Sequence, residues 1–263
     1  QDVSGPAETL AVSLRPRARP EGVGPAKPAA QDDAPAALLA ALPRGIERPV
    51  SGATCNTRLA RAIPARAPSA PGGSAVMSGL MRVSGTDRDR RVAQQILAGN
   101  LPSFLQDLVP VRVTGRARDG SEVAITFCAT PDYLAVGSDR DFVRVPLGMP
   151  AAMQIAERFD MMLPTRRMVD QIYRAADTRV APRPMTPGPQ MSSTDYLLRH
   201  NATVEGQIRG AAVAGQLASG HKKDVVLTNR LATNRGRVAI YGWHRTNGKA
   251  IQPLSTVHGA TYA

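Results

Sequence analysis

From residue 86 onward the spacing of apolar positions predicts a mixed succession of helices and strands. Thr86 or Asp87 stands ahead of Val92, Ile96 and Leu97, which share one helical face, and Gly99 follows as a stop. Val111 and Val113 then alternate with polar neighbours, Asp119-Gly120 supplies a hairpin turn, and Val123, Ile125 and Phe127 alternate on the return. Strands over 133–137 and 142–145, joined by Asp139-Arg140, extend this hairpin to a four-stranded antiparallel meander. Two helices come next. Pro150 suits an early position in the first, with Ala152, Ile155, Ala156 and Phe159 on one side. Thr165 caps the second, whose stripe is Met168, Val169, Ile172 and Tyr173.

Four prolines between 182 and 189 predict an extended crossover, after which Ser193-Thr-Asp195 caps a third helix carrying Leu197, Val204 and Ile208. His200 sits at the edge of that stripe and reads as a packed, hydrogen-bonded histidine. Strand patterns then return over 225–228 and 238–244, and Asn247-Gly248 turns the chain into a last hairpin strand over 250–252. Strict alternation puts Val238, Ile240, Gly242 and His244 on one face, with Ala239, Tyr241 and Trp243 on the other. The expected fold is α+β: meander, helical middle and C-terminal β-hairpin region in one domain over 80–263. The uncapped ending at Tyr262-Ala263 reads as a domain cut inside an element.

Residues 1–79 lack any such pattern. Residues 1–75 hold 11 of the 22 prolines, and the first aromatic residue of the chain is Phe104. Without bulky groups to bury, a segment of this kind does not offset the entropy of ordering, so a disordered Pro/Ala/Arg-rich tail is expected. Within it, residues 33–42 read as an Ala-rich patch of linker, with a short docking helix as the alternative.

The chain carries a net charge of +12, spread along its length and drawn mostly from arginine. Spread charge favours contact with polyanions without a specific nucleic-acid groove, and no nucleic-acid module is recognised. Two cysteines, Cys55 and Cys128, allow one disulfide or two reduced thiols. No apolar run is long enough to span a membrane. The start at Gln1 fits a signal peptide already removed, hence a secreted or periplasmic protein.

The candidate chemistry lies late in the chain. All four histidines follow residue 199, and from residue 200 eight Lys/Arg face two acids, Glu205 and Asp224. His221, His244 and His258 stand in loops or at strand ends, where a sheet presents reactive groups. Three arrangements are open: three histidines holding zinc with a free water position, a histidine base oriented by Asp224, or three scattered histidines that merely hydrogen-bond. Lys222 and Lys223 would hold an anionic group of a substrate, beside Tyr241 and Trp243. Ser219-Gly-His-Lys222 has Ser-x-x-Lys spacing, but a strand follows where that motif needs a helix, so it reads as coincidence. There is no HExxH, Gly-x-Ser-x-Gly, Walker loop, dinucleotide fingerprint or Cys-x-x-Cys, and too few late acids for a two-carboxylate glycosidase within this block.

Residues 131–142, 163–173, 220–224, 240–244 and 251–255 together resemble a largely uncharacterised family of exported bacterial proteins, over about 109–263 of the chain. The resemblance implies export and brings no catalytic set with it. The expected function is hydrolysis of a cell-envelope or extracellular polymer at a centre of His221, Asp224, His244 and His258. The alternative is a non-catalytic module gripping a glycan or anionic polymer with Tyr241, Trp243 and the basic residues.

Overall fold

The computed structural model describes residues 55, 62–208, 216–234, 236–254 and 258–259. The chain divides into units Gln1–Ala40 and Ala41–Ala263, and every described residue lies in the second. The segment over 33–42, and residues 1–54 and 56–61 of the expected tail, therefore fall outside the described residues. What is described of 62–79 is not tail. Ile63, Met77 and Leu80 are buried in the main hydrophobic cluster, so the packed domain begins well before residue 80.

Helix α1 (Gly73–Ser78) sets its first turn against a small hairpin of β3 (Ala135–Gly137) and β4 (Phe142–Arg144). Helix α2 (Gly85–Leu97) buries Val92, Ala93 and Ile96 in the same cluster and begins two residues earlier than expected, after Ser84. Its buried Asp89 is satisfied by Arg88 and by the backbone N–H of Gly148 at 2.7 Å, which ties it to the start of α3 (Met149–Arg158). Ile155 and Phe159 of the α3 segment complete the cluster.

Strands β1 (Val109–Arg116) and β2 (Glu122–Ala129) form the expected hairpin in full register from Val109–Ala129 to Arg116–Glu122. They do not join β3 and β4: the expected meander is two separate two-stranded sheets. The intervening residues 130–134 are spent on the site described below. Cys128 of β2 is disulfide-bonded to Cys55. Closing a loop of 73 residues stabilises by about 4 kcal/mol in the chain-entropy model. Urea unfolding with and without dithiothreitol should show a loss of about that size on reduction.

Helix α4 (Arg166–Ala175) is capped by Thr165, whose hydroxyl accepts from Met168 N, and it buries Val169 and Tyr173. Strand β5 (Thr178–Arg179) pairs in parallel with β6 (Ala218–Ser219), and Ala218 N also donates to Pro131 O at 2.8 Å. Between them in sequence, α5 (Thr194–Ile208) buries Val204 and Ile208. A three-stranded sheet runs β10 (Ala250–Gln252), β9 (Ile240–His244), β7 (Lys223–Val225). The expected strand over 225–228 thus sits two residues earlier, and that over 238–244 divides into β8 (Arg237–Val238) and β9. Strand β11 (His258–Gly259) pairs with β8. Among the described residues no helix is long and apolar enough to cross a membrane.

Candidate functional site

The contact of Ala218 with Pro131 lays the Ser219–Asp224 stretch beside Asp132 and Tyr133, two turn residues ahead of β3. His221 is 1% exposed, and its Nε2 meets Asp132 Oδ1 at 3.0 Å. Asp132 also accepts from the buried Arg144 guanidinium, with Nε 2.8 Å from Oδ2, and Arg144 reaches on to Glu205. Burial alone would raise the Asp132 carboxyl; hydrogen bonds from His221 and Arg144 outweigh it and hold it below the usual carboxylate range. Burial pushes His221 down despite Asp132, so the pair is a neutral imidazole on a carboxylate. The Nδ1 atom of His221 is buried without a partner among the described residues.

Tyr133 connects this brace to the next group. Its ring meets the His221 ring edge to face at 4.8 Å, and its hydroxyl lies 3.3 Å from Asp224 Oδ2 and 3.2 Å from Lys222 O. Asp224 keeps part of its surface open, but its carboxyl is enclosed by protein, and that burial raises it to about 7 against the opposing Tyr133 hydrogen bond. Burial, then the charge of Asp224, keeps Tyr133 a phenol well above its ordinary range. Lys222, pushed down to about 8 by burial and then by Arg144, places Nζ 3.1 Å from His200 Nδ1. His200 itself is driven to about 4 by burial and by Lys222, so it is the neutral acceptor, packed as expected.

These groups form the polar end of a cavity of about 310 Å³. Asp132, Tyr133, Arg144, Ser219 and residues 222–224 line it there; elsewhere its wall is apolar, with Leu105, Leu147, Ile155, Phe159, Met161 and Ile172. A carboxyl that titrates near neutrality beside a phenol can take up and return a proton at such a wall.

The expected four-residue centre is divided. His221 and Asp224 are brought together through Tyr133, but Asp224 orients neither histidine. Asp132 orients His221. His244, 2% exposed, is held by Asp170 of α4 with Nε2 at 2.9 Å from Oδ1, and its ring stacks on Tyr173 at 4.5 Å. His258 lies across from Val238 in the β8–β11 pair, and its side chain is outside the described residues. Among the described residues no three His, Cys, Asp or Glu side chains form a group fit for a metal ion, so the zinc arrangement gains no ligand set.

Strict alternation also fails in β9. Gly242 and Trp243 have φ of 108° and 60°, and the twist turns Tyr241 and His244 to the same carboxylate, Asp170. Trp243 faces the other way, with Lys223 Nζ 5.2 Å from its ring centre and His200 beyond. A Cβ on Gly242 would stand 3.1 Å from Asp224 Oδ2, a tight contact, and the φ of 108° is one that a residue with a side chain adopts only under strain. Tyr241 is buried, donating to Asp170 at 2.8 Å, while Trp243 is half-buried, so the two do not share one exposed face. Tyr133 and Asp170 escape the sequence reading as site residues, whereas Asp132 reads there as a turn acid able to approach the late block. The one signal for Tyr133 and Asp170 is that they lie in the segments 131–142 and 163–173 on which the resemblance is drawn.

Fold and site define the class: an α+β protein with two buried histidine–aspartate pairs and an apolar cavity ending in Tyr133 and Asp224. Comparison of the chain with family models, curated proteins and solved structures gives no match.

Proposed function

We propose that this chain is an exported hydrolase acting on a cell-envelope or extracellular polymer, with Asp224 as general base and Tyr133 as its proton relay. The observation that carries the reading is the neutral-range Asp224 carboxyl hydrogen-bonded to Tyr133 at the polar end of the cavity. As carboxylate, Asp224 accepts the Tyr133 proton while the phenol oxygen draws one from the attacking oxygen; the reverse transfer protonates the leaving group. Arg144, Asp132 and His221 hold the loop that carries these groups and do not touch the cavity as free bases. The Cys55–Cys128 disulfide supports an oxidising compartment, and the family resemblance and the net charge of +12 support export and an anionic polymer as substrate.

The test is incubation of the purified protein with bacterial cell-envelope material, following soluble fragments from pH 5 to 9. Release should rise as pH passes through about 7, where Asp224 ionises, and then level off. Absence of release at every pH, or release unchanged in Asp224→Asn, contradicts the reading.

A further inference from the structure

We infer that Lys222, Lys223 and the indole N–H of Trp243 form a binding subsite for a phosphate group of the substrate polymer. The inference rests on the reading above for the anionic polymer and names the charged group it carries, while the binding itself is measured without turnover.

Three elements bring these groups together: His200 comes from α5, Lys222 and Lys223 from the start of β7, and Trp243 from β9. Lys222 Nζ lies 3.1 Å from His200 Nδ1, the His200 ring stands edge-on to the Trp243 ring at 6.2 Å, and Lys223 Nζ is 5.2 Å from the Trp243 ring centre. His200 is neutral, so it accepts one hydrogen of the Lys222 ammonium and leaves two for a ligand. Trp243 holds a φ of 60°, a left-handed conformation that strains a bulky residue, and strain of this kind gathers at ligand sites. Its Nε1 is buried and has no acceptor among the described residues. A buried donor without an acceptor is unfavourable, and a bound oxygen removes that cost.

No acid answers the charge of this cluster. Arg144 takes Asp132 and Glu205, His221 shares Asp132, and Asp224 turns to Tyr133. Among the described residues neither ammonium has a carboxylate partner. Burial pushes both lysines below their ordinary range, Lys222 to about 8, as befits cations enclosed without a counter-charge. A bound phosphate supplies the negative charge and the missing acceptors together. It suits the set better than a carboxylate does. Ammonium groups act as point charges toward a tetrahedral oxyanion, whereas a flat carboxylate favours a guanidinium fork, and Arg144 is already taken. Lys222 and Lys223 also line the cavity that ends in Tyr133 and Asp224, so a polymer held by its phosphate passes beside the acid–base pair.

Trp243 is the one tryptophan of the chain, so its emission reports on the subsite in the full-length protein. Inorganic phosphate and poly(glycerol phosphate) should each give a saturable change in emission at constant ionic strength. Polygalacturonate, a carboxylate polymer, should bind about tenfold more weakly. Lys223→Met should weaken phosphate binding by about 10–100-fold, the loss of one hydrogen bond to a charged group. Trp243→Phe keeps a ring beside Lys223 and removes the N–H; broadening of the ³¹P resonance, which needs no tryptophan, should show binding weakened by about tenfold. Urea midpoints establish that each variant is folded. No saturable response to phosphate, an equal response to polygalacturonate, or parent affinity in both folded variants overturns the inference. So does a response to inorganic phosphate that the polymer fails to reproduce, since the subsite then holds only the free ion. Binding of the phosphate polymer without release of envelope fragments supports the inference and removes the hydrolase reading. Release without phosphate binding removes the inference and leaves that reading in place.

Discussion

Asp224→Asn is expected to lower hydrolysis by about 10²–10⁴-fold, the range over which a positioned general base contributes. The same variant should be more stable than the parent at pH 8. Burial raises the folded-state carboxyl from 3.8 to about 7, so between those values the native state holds a proton that the unfolded chain has released. Stability therefore falls as pH rises through that window and stays reduced above it, by an amount on the order of a few kcal/mol. Asparagine has no proton to lose and escapes the penalty. Unfolding midpoints in urea should favour the variant at pH 8 and converge with the parent near pH 4. A variant that is inactive because it is misfolded would be less stable at both.

The second large effect concerns Arg144. Its guanidinium is buried between Asp132 and Glu205, and Asp132 in turn holds His221. Arg144→Met leaves the Asp132 charge buried with only a neutral imidazole beside it, and breaking a buried pair from one side typically costs about 3–5 kcal/mol. Arg144→Met combined with Asp132→Asn removes the stranded charge and should recover part of that loss in the same urea titration. In the parent protein the depressed Asp132 carboxyl contributes stability that is present above the unfolded value of 3.8 and is lost as pH falls through its lower folded value. Arg144→Met should accordingly also flatten the acid side of the stability profile. An unchanged midpoint would show that Arg144 is not holding the loop.

The elements with a strong local signal were readable in advance. The turn at Asp119-Gly120 fixes the β1–β2 hairpin, Thr165 caps α4, and the apolar stripes of α3 and α4 face the core as their spacing requires. Interactions set at long range were not. Whether β2 continues into β3 depends on where Pro131 and Asp132 are needed, and that is decided by β6, some 87 residues on, through Ala218 N and Pro131 O. The sequence singles out the histidines but not their partners, which come from other elements: Asp132 from a turn and Asp170 from a helix flank. Asp224 was singled out because it lies three residues from His221; its actual neighbour is Tyr133, 91 positions away. Alternation in β9 failed for a local reason, since Gly242 admits a backbone conformation that turns Trp243 and His244 away from their expected faces.

The central claim is that Asp224 is a base poised near neutrality by its enclosure beside Tyr133. Selective ¹³C labelling of aspartate carboxyls, with Asp224→Asn to assign the resonance, follows its ionisation directly. A midpoint at about 7 is the predicted result. A midpoint near 4, the value of an ordinary solvated aspartate, would contradict the account.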